Sequence, residues 1–170
     1  MISISSYNSP LGKILLAADQ AGMTGLWFVG QKHFARALDQ NAVRQKSPIL
    51  DQARLWLDLY FSGRIPDFLP PLHPTGTTFQ LEVWSILQTI PYGQTVTYGK
   101  IAAILAARLG RPQSAQAVGT AVGRNPLSLL IPCHRVVGAN GNLTGYAGGL
   151  ERKQALLSLE QGYSVCSSAQ

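Results

Sequence analysis

The clearest chemical feature of the sequence is a cysteine followed directly by a histidine, Cys133 and His134, within the run of residues 131–136. A thiol is a useful nucleophile only as the thiolate, and a neighbouring base or positive charge lowers its pKa towards the working range. A cysteine in an apolar stretch is also a common small core residue. The pair is therefore a candidate nucleophile and base, and the surrounding residues must decide between the chemical and the structural interpretation.

Glu160 is a candidate for the group that orients His134. It lies near the end of a helix predicted from Leu150 to Gln161, where a carboxylate is unfavourable for the helix dipole. A nucleophile, a base and an orienting carboxylate together form the usual arrangement of an activated cysteine. A glutamate that faces solvent is the simpler alternative.

A glycine-rich segment, residues 143–149, lies between these groups in the sequence and contains one tyrosine, Tyr146. Such a segment suits a pocket wall where the backbone must approach a ligand closely. It follows Asn140 and Gly141, a pair typical of tight hairpin turns.

The second half of the chain is predicted to be helical. One helix begins at Thr77 or Thr78 and ends at Pro91, with Phe79, Val83, Ile86, Leu87 and Ile90 on its apolar face. Thr97 caps a second helix, Tyr98 to Leu109, and Ser114 caps a third, Ala115 to Arg124. Two short helices joined by a turn of Gly110, Arg111 and Pro112 predict a helix-turn-helix.

The third helix has unusually small residues on its predicted outer face. The inward stripe comprises Ala115, Val118, Ala121 and Val122, and the outer face comprises Gln116, Gly119, Thr120, Gly123 and Arg124. A glycine costs about 1 kcal/mol in a helix interior, so the two glycines require a reason. Close approach to DNA is one reason, and close packing against another helix is the alternative.

The first half of the chain predicts a small sheet and one helix. Strands are expected over Ile2–Ser6, Lys13–Ala18 and Met23–Val29, and a helix begins at Ser47-Pro48 and runs to Gly63. Residues 64–76 hold four prolines and predict a stiff extended linker. We therefore expect two domains, residues 1–76 and 77–170.

Composition and charge limit the classes to which the protein can belong. Hydrophobic residues make up 46% of the 170 residues and charged residues 13%, which indicates a compact globular chain. Cys133 and Cys166 do not make a disulfide framework, and Cys166 lies in a polar tail expected to fray. The N-terminus does not resemble a signal peptide and no apolar run is long enough to span a bilayer, so we expect a cytoplasmic protein. The net charge of +6 favours a nucleic-acid partner.

Taken together, these motifs resemble those of the O6-alkylguanine-DNA alkyltransferases, also called methylated-DNA–protein-cysteine methyltransferases. Residues 77–161 resemble the catalytic domain and residues 1–76 the ribonuclease-H-like N-terminal domain. The resemblance rests on residues 132–136, on Pro91-Tyr92-Gly93 with Thr97-Tyr98, on Arg124-Asn125-Pro126, and on residues 145–149 with Glu160.

The resemblance implies a role for each candidate residue. Cys133 would accept the alkyl group, His134 would act as base through a water, Glu160 would orient His134, and Asn125 would be a hinge bonded to the backbone. Tyr98 would donate its hydroxyl to guanine and crowd a phosphate. The carbonyls of Cys133 and Val136 would accept from the guanine amine, N–H groups around Ala147 and Gly148 would face the alkylated oxygen, and Tyr146 would wall the alkyl pocket.

The resemblance also implies a DNA-binding surface, with one departure from the family pattern. The expected contacts are Thr97, Tyr98, Ala115, Gln116, Ala117, Gly119, Thr120, Arg124 and Arg135. Family members often have arginine where this chain has Gln116, and that side chain fills the gap left by the flipped base. An amide can still fill the gap but holds the DNA less strongly. No cysteine precedes Cys133, so we expect no structural zinc site in the N-terminal domain.

The sequence therefore predicts an α/β (α+β) fold: a ribonuclease-H-like domain followed by a mostly helical domain with a helix-turn-helix. The implied function is DNA repair by a single, stoichiometric alkyl transfer from O6-alkylguanine to Cys133 after base flipping, with O4-alkylthymine as a second candidate substrate. We expect a monomer that acts on double-stranded DNA, with no cofactor, metal or membrane. The alternatives are a cysteine hydrolase with a Cys-His-Glu triad and a non-catalytic module that binds DNA lesions.

Overall fold

The computed structural model describes residues 1–36 and 38–164. An N-terminal sheet domain is followed by a helical C-terminal domain, which confirms the predicted mixed α/β class. Cys166 lies outside the described residues.

Four strands form the N-terminal sheet: β1 (Ser3–Ser9), β2 (Gly12–Ala18), β3 (Met23–Phe28) and β4 (Val43–Arg44). Their order is β3-β2-β1-β4, with antiparallel pairs except for the parallel pair of β1 and β4. Gly12, with φ of 121°, closes the tight connection between β1 and β2. The three longer strands match the prediction to within a few residues, whereas β4 is too short to show an alternating pattern.

Helix α1 (Pro48–Phe61) packs across β1 and β2 and closes the core of the sheet domain. It begins as predicted, since the Ser47 side chain accepts a hydrogen bond from the Leu50 N–H and proline occupies the first helical position. Its buried face comprises Leu50, Ala53, Trp56, Leu57, Tyr60 and Phe61.

The proline-rich segment after α1, which was expected to be a stiff extended linker, is hydrogen-bonded to the sheet. The Met23 N–H donates to the Pro71 carbonyl at 2.7 Å, and the His73 N–H donates to the Met23 carbonyl at 2.8 Å. These bonds attach residues 71–73 to the start of β3. Proline has no N–H and cannot complete a strand, so composition suggested a linker where the chain in fact runs along the sheet.

The C-terminal domain contains helices α2 (Thr78–Leu87), α3 (Tyr98–Leu109), α4 (Ala115–Gly123) and α5 (Leu150–Glu160). Thr77, Thr97 and Ser114 cap the first three with their side chains, as predicted. Helix α2 ends before the predicted Ile90, which lies in the following turn. Two short strands, β5 (Val96–Thr97) and β6 (Val136–Val137), pair in parallel and were not predicted.

Helices α3 and α4, joined by residues 110–114, occupy the predicted helix-turn-helix, and α2 supports α4 from behind. The indole N–H of the buried Trp84 donates to the Ala121 carbonyl at 2.9 Å. Val118, Ala121 and Val122 are buried as expected, but Ala115 is exposed, because it lies in the first turn, beyond the contact with α2. No helix among the described residues is long and apolar enough to cross a membrane.

We expect Trp84→Phe to lower the free energy of unfolding by about 1–3 kcal/mol, because it removes buried volume and the hydrogen bond to α4. Trp56→Phe is the matched control, since Trp56 is also buried but donates no hydrogen bond to a described residue. Urea denaturation of both variants checks this. An equal loss in the two would mean that the hydrogen bond adds nothing.

Candidate active site

The segment that carries Cys133 is anchored to the sheet domain. The Leu26 N–H of β3 donates to the Pro126 carbonyl at 2.8 Å, and the Ser128 N–H donates to the Leu26 carbonyl at 3.1 Å. Leu129 then has a φ of 71°, unusual for a bulky residue and costly unless the surroundings impose it. The chain therefore reaches Cys133 along a path fixed by β3.

Asn125 holds the end of α4 against this segment. Its side-chain amide donates to the Ile131 carbonyl at 2.8 Å, and its side-chain oxygen accepts from the Leu127 N–H at 3.0 Å. The residue is buried. These are bonds to the backbone of the kind that the family resemblance implied for this position.

Cys133 begins a single 3-10 turn, Cys133–Arg135, and strand β6 follows at once. The parallel pairing of β6 with β5 brings Cys133 close to the beginning of α3, because β5 ends directly before Tyr98. The short β5–β6 sheet thus brings together two candidate residues that are 35 positions apart in the sequence.

His134 and Glu160 form a fully buried pair. The imidazole Nε2 lies 2.5 Å from Glu160 Oε2, and the side chains are 0% and 1% exposed. Burial lowers the pKa of His134 below its usual value, although the hydrogen bond to Glu160 opposes this, so the ring is neutral at pH 7. Because an ionised carboxylate can only accept, the single proton of His134 is assigned to Nε2. Nδ1 is buried and has no hydrogen-bond partner among the described residues.

Glu160 faces the interior, which excludes the alternative of a solvent-facing glutamate. Burial would raise the pKa of its carboxyl, but hydrogen bonds from His134 and from the Arg135 guanidinium outweigh burial and lower it to about 2. The Gly93 N–H also donates to Oε1 at 3.1 Å. The carboxylate is therefore ionised at neutral pH.

Arg135 is not on the DNA-facing surface where we had placed it. Its Nε donates to Glu160 Oε1 at 2.7 Å, and its Nη1 donates to the Ile90 carbonyl at 2.7 Å. Its side chain is 10% exposed. The guanidinium neutralises the buried carboxylate and has little capacity left for a phosphate.

Burial has the largest effect on the protonation of the Cys133 thiol. It raises the pKa of Cys133 above its usual value, although Asn125, the charge of Lys153 and Ser128 act in the opposite direction. Cys133 is therefore a neutral thiol in the resting protein, contrary to our expectation that neighbouring groups would lower its pKa. It needs a base to become a nucleophile.

Two residues of this site were missed in the sequence analysis. The Tyr60 hydroxyl of α1 donates to Glu160 Oε2 at 2.7 Å. The fully buried Lys153 donates from Nζ to the carbonyls of Val136 at 2.5 Å and Thr144 at 3.0 Å. Lys153 and Glu160 lie seven residues apart on the buried face of α5, so two charged residues in an apolar stripe were the available signal. Nothing in the sequence near Tyr60 indicates its partner.

The glycine-rich segment forms a wall of the site, as predicted. The Tyr98 hydroxyl donates to the Thr144 carbonyl at 3.1 Å. Tyr146 is buried at its hydroxyl, which makes no hydrogen bond within the described residues. A Cβ on Gly148 would lie 2.5 Å from the Tyr146 ring, so only glycine fits there.

A cavity of about 430 Å³ opens onto Cys133. Its wall includes Tyr98, Gly119, Thr120, Gly123, Tyr146 and Ala147. A Cβ on Gly123 would have no neighbour within 4 Å, and one on Gly119 would touch only the Tyr98 ring, at 3.7 Å. Apart from the Tyr98 ring of α3, no described residue fills this space, so the outer glycines of α4 keep the mouth of the cavity wide. Gln116 is exposed on the same helix.

The sheet domain also contributes to the mouth through residues 30–36, here called the basic loop. Lys32 and His33 line the cavity, and the Lys32 N–H donates to the Ala147 carbonyl at 2.9 Å. Arg36 of the loop and Arg124 at the end of α4 both line a neighbouring groove with His33. The side chains of Lys32, Arg36 and Arg124 form no ion pair with a described residue, which leaves an uncompensated positive surface.

Comparison with known proteins gives the same result for both halves of the chain. Residues 78–162 match the family described as 6-O-methylguanine DNA methyltransferase, DNA binding domain, and residues 2–74 match its ribonuclease-like domain. A methylated-DNA–protein-cysteine methyltransferase of Methanosarcina acetivorans is 44% identical over 91% of this chain and 95% of its own. The enzyme of the same name from Mycolicibacterium paratuberculosis is 42% identical over 98% of this chain and 97% of its own.

Solved structures of methyltransferases of this kind are similar to this chain over nearly its whole length. Mycobacterium tuberculosis OGT in complex with DNA superposes with a TM-score of 0.81 at 39% identity, covering 95% of this chain and 94% of that one. An O6-methylguanine DNA methyltransferase from Methanococcus jannaschii gives a TM-score of 0.59 at 30% identity, covering 93% and 92%.

We expect the stabilising effect of Glu160 to depend on pH. Its folded pKa of about 2 lies below the ordinary value of 4.5, so its contribution is complete above about pH 4.5 and is lost as the pH falls towards 2. Glu160→Gln should lower the free energy of unfolding by about 3–5 kcal/mol at neutral pH, because it leaves Arg135 buried and unpaired. The difference from the unaltered protein should shrink at about pH 3.

Denaturant unfolding at the two pH values measures this difference. Glu151→Gln, an exposed glutamate in the first turn of the same helix, is the control and should cost little at either pH. A difference for Glu160→Gln that stays constant between the two pH values would contradict the argument.

Proposed function

The chain belongs to the 6-O-methylguanine DNA methyltransferase family, and we propose that Cys133 is the residue that accepts the alkyl group. The function is DNA repair by direct transfer of the alkyl group from DNA to a cysteine of the protein. The observation that carries the assignment is the cavity that opens onto Cys133, beside the helix-turn-helix. Cys133 is also the free cysteine among the described residues.

In the proposed reaction, His134 removes the thiol proton through Nδ1 by way of a water. The sulfur attacks the alkyl carbon, an S–C bond forms, and the C–O6 bond breaks with its electron pair left on guanine. Guanine then takes a proton, with the Tyr98 hydroxyl as donor. The product is a thioether, which offers no carbonyl to water, so no second half-reaction restores the cysteine.

Guanine itself would be recognised mainly by backbone groups. The carbonyls of Cys133 and Val136 already accept hydrogen bonds from the Val136 N–H and from Lys153. Each carbonyl has a second lone pair for the guanine amine. N–H groups at Ala147 and Gly148 would face the alkylated oxygen, and the ring of Tyr146 would border the alkyl group.

The alkylated nucleotide must leave the helix stack to reach Cys133, at a cost of a few kcal/mol. We assign α4 to the DNA, with Gln116 in the gap left by the flipped base and Ala115, Ala117, Gly119, Thr120 and Arg124 along the contact. Thr97 and Tyr98 at the start of α3 complete the proposed surface. Arg135 is removed from it, since Glu160 holds its guanidinium.

Two further parts of the proposal concern partner and organisation. The partner would be double-stranded DNA with an alkylated guanine, bound by a monomer in the cytoplasm. The boundary between the domains would fall within residues 64–76, because the family matches end at residue 74 and resume at residue 78.

The basic loop is a second part of the proposed DNA surface that the sequence analysis did not contain. It supplies Lys32 at the mouth of the cavity, and Arg36 beside Arg124 in the neighbouring groove. Such clustered cations attract phosphates and release counterions when DNA binds. The sheet domain would therefore help to hold DNA over Cys133.

The rival functions differ in what happens to the methyl group. We expect labelled methyl from O6-methylguanine in duplex DNA to reach a plateau at one per protein, on Cys133. Cys133→Ser should abolish transfer and still bind DNA, because a hydroxyl is a far weaker nucleophile. Mass spectrometry of the labelled peptide decides the site. Turnover would favour a hydrolase, label on Cys166 would refute the site, and binding without transfer would favour a lesion-binding module.

We expect Arg36→Gln to weaken binding to duplex DNA and to reduce the slope of log affinity against log salt by about 1. Lys46→Gln is the control, because Lys46 is an exposed cation beside the opposite edge of the sheet. Binding isotherms at several salt concentrations measure both variants. Identical slopes for the two variants would remove the basic loop from the DNA surface.

A further inference from the structure

Tyr60 contributes a hydroxyl to the site that the proposed reaction does not use. This hydroxyl lies 2.7 Å from Glu160 Oε2, to which it donates, and 3.4 Å from His134 Nε2. The same carboxylate oxygen lies 2.5 Å from His134 Nε2. One oxygen of Glu160 is therefore shared between the candidate base, a phenol and Arg135 Nη2, which donates to it at 3.2 Å.

The position of Tyr60 is fixed by the sheet domain. The residue lies in the last turn of α1 and is 0% exposed. Its ring stacks on Trp56 with centroids 5.1 Å apart, and meets Phe61 edge-on at 5.3 Å and Tyr92 edge-on at 6.1 Å. A phenol packed on so many sides has a fixed hydroxyl direction, so its hydrogen bond to Glu160 is imposed by the fold.

A second donor on the same oxygen reduces what His134 gains from Glu160. Negative charge that is drawn towards the Tyr60 O–H is not available to stabilise a positive imidazolium. Tyr60 does not take part in proton transfer, because burial first, and then the charge of Glu160, raise its pKa well above the usual value. It remains a donor over the whole working range of pH.

The geometry points to Tyr60 as a positioning residue that keeps His134 uncharged, with its proton on Nε2 and its Nδ1 free to act as base. This inference rests on the proposed role of Cys133 and His134, and adds to it a contribution of the sheet domain to the chemistry.

Other groups face the pair and must be considered with it. They are Cys133, Arg135 and Tyr146 on the site segments, Tyr92 on the turn after α2, and Lys153 on α5. Arg135 and Lys153 both oppose a positive charge on His134. Arg135 also donates to the carboxylate that His134 touches, through Nη2 to Oε2 at 3.2 Å. Tyr60 differs from Arg135 and Lys153 because it is an uncharged donor that comes from the sheet domain.

The test is the pH dependence of the single-turnover rate with free O6-benzylguanine, which needs no base flipping. In Tyr60→Phe the ring packing stays and only the hydroxyl is lost. The acid limb of the profile should move to higher pH by about 0.5 to 1 unit, because His134 becomes easier to protonate when one hydrogen bond is lost. The rate on the plateau should be retained.

Tyr7→Phe is the matched control. The Tyr7 hydroxyl also donates to a carboxylate, Asp58 of the same helix, at 2.7 Å, and lies outside the site. The limb should not move in this variant. Three results would overturn the inference. In Tyr60→Phe, the acid limb could stay in place while the plateau rate falls, or the limb could move to lower pH. In Tyr7→Phe, the limb could move as far as it does in Tyr60→Phe.

A measurement on the unaltered protein covers the case in which Tyr60→Phe does not fold. In ¹⁵N spectra at pH 7, His134 should show a protonated Nε2 and an unprotonated Nδ1, with His134→Gln providing the assignment. A doubly protonated ring, or a proton on Nδ1, would overturn the inference. If the unaltered protein transfers no benzyl group to Cys133, the proposed function fails instead, independently of the tautomer.

Discussion

The buried carboxylate of Glu160 accepts hydrogen bonds from His134, Arg135, Tyr60 and Gly93, which come from three different parts of the chain. A buried charge without partners costs several kcal/mol, so the ionised carboxylate depends on this set of donors. This requirement couples the end of α5, the turn that carries the thiol, the last turn of α1 and the turn after α2. The geometry of the base is a consequence of satisfying this one charge.

The same burial determines how the thiol is used. Cys133 is deep enough to be kept neutral, and the neutral His134 beside it is available to remove its proton. Lys153 places a positive charge near Cys133. It also donates hydrogen bonds to both the Val136 and the Thr144 carbonyl. The sulfur is therefore uncharged in the resting site.

Residues from both halves of the chain line the mouth of the cavity. Helix α4 leaves space there with Gly119 and Gly123, while β3 fixes the path of the chain from Pro126 to Ser128. The basic loop that follows β3 reaches the same opening and bonds to Ala147. The sheet domain, which the sequence suggested was a separate unit, thus contributes to the rim of the cavity and, through Tyr60, a hydrogen bond to Glu160.

The sequence by itself determined the helices with their caps, the three longer strands and the helix-turn-helix. It also identified Cys133, His134, Asn125 and Glu160 as candidate site residues. Periodicity, caps and motifs are local signals, so they can be recognised without the tertiary structure. The tertiary structure alone decided that Arg135 pairs with Glu160, that Tyr60 joins that pair, that the α4 glycines border open space, and that the thiol pKa is raised. Each of these depends on contacts between distant segments and on burial, which residue types and spacing do not encode.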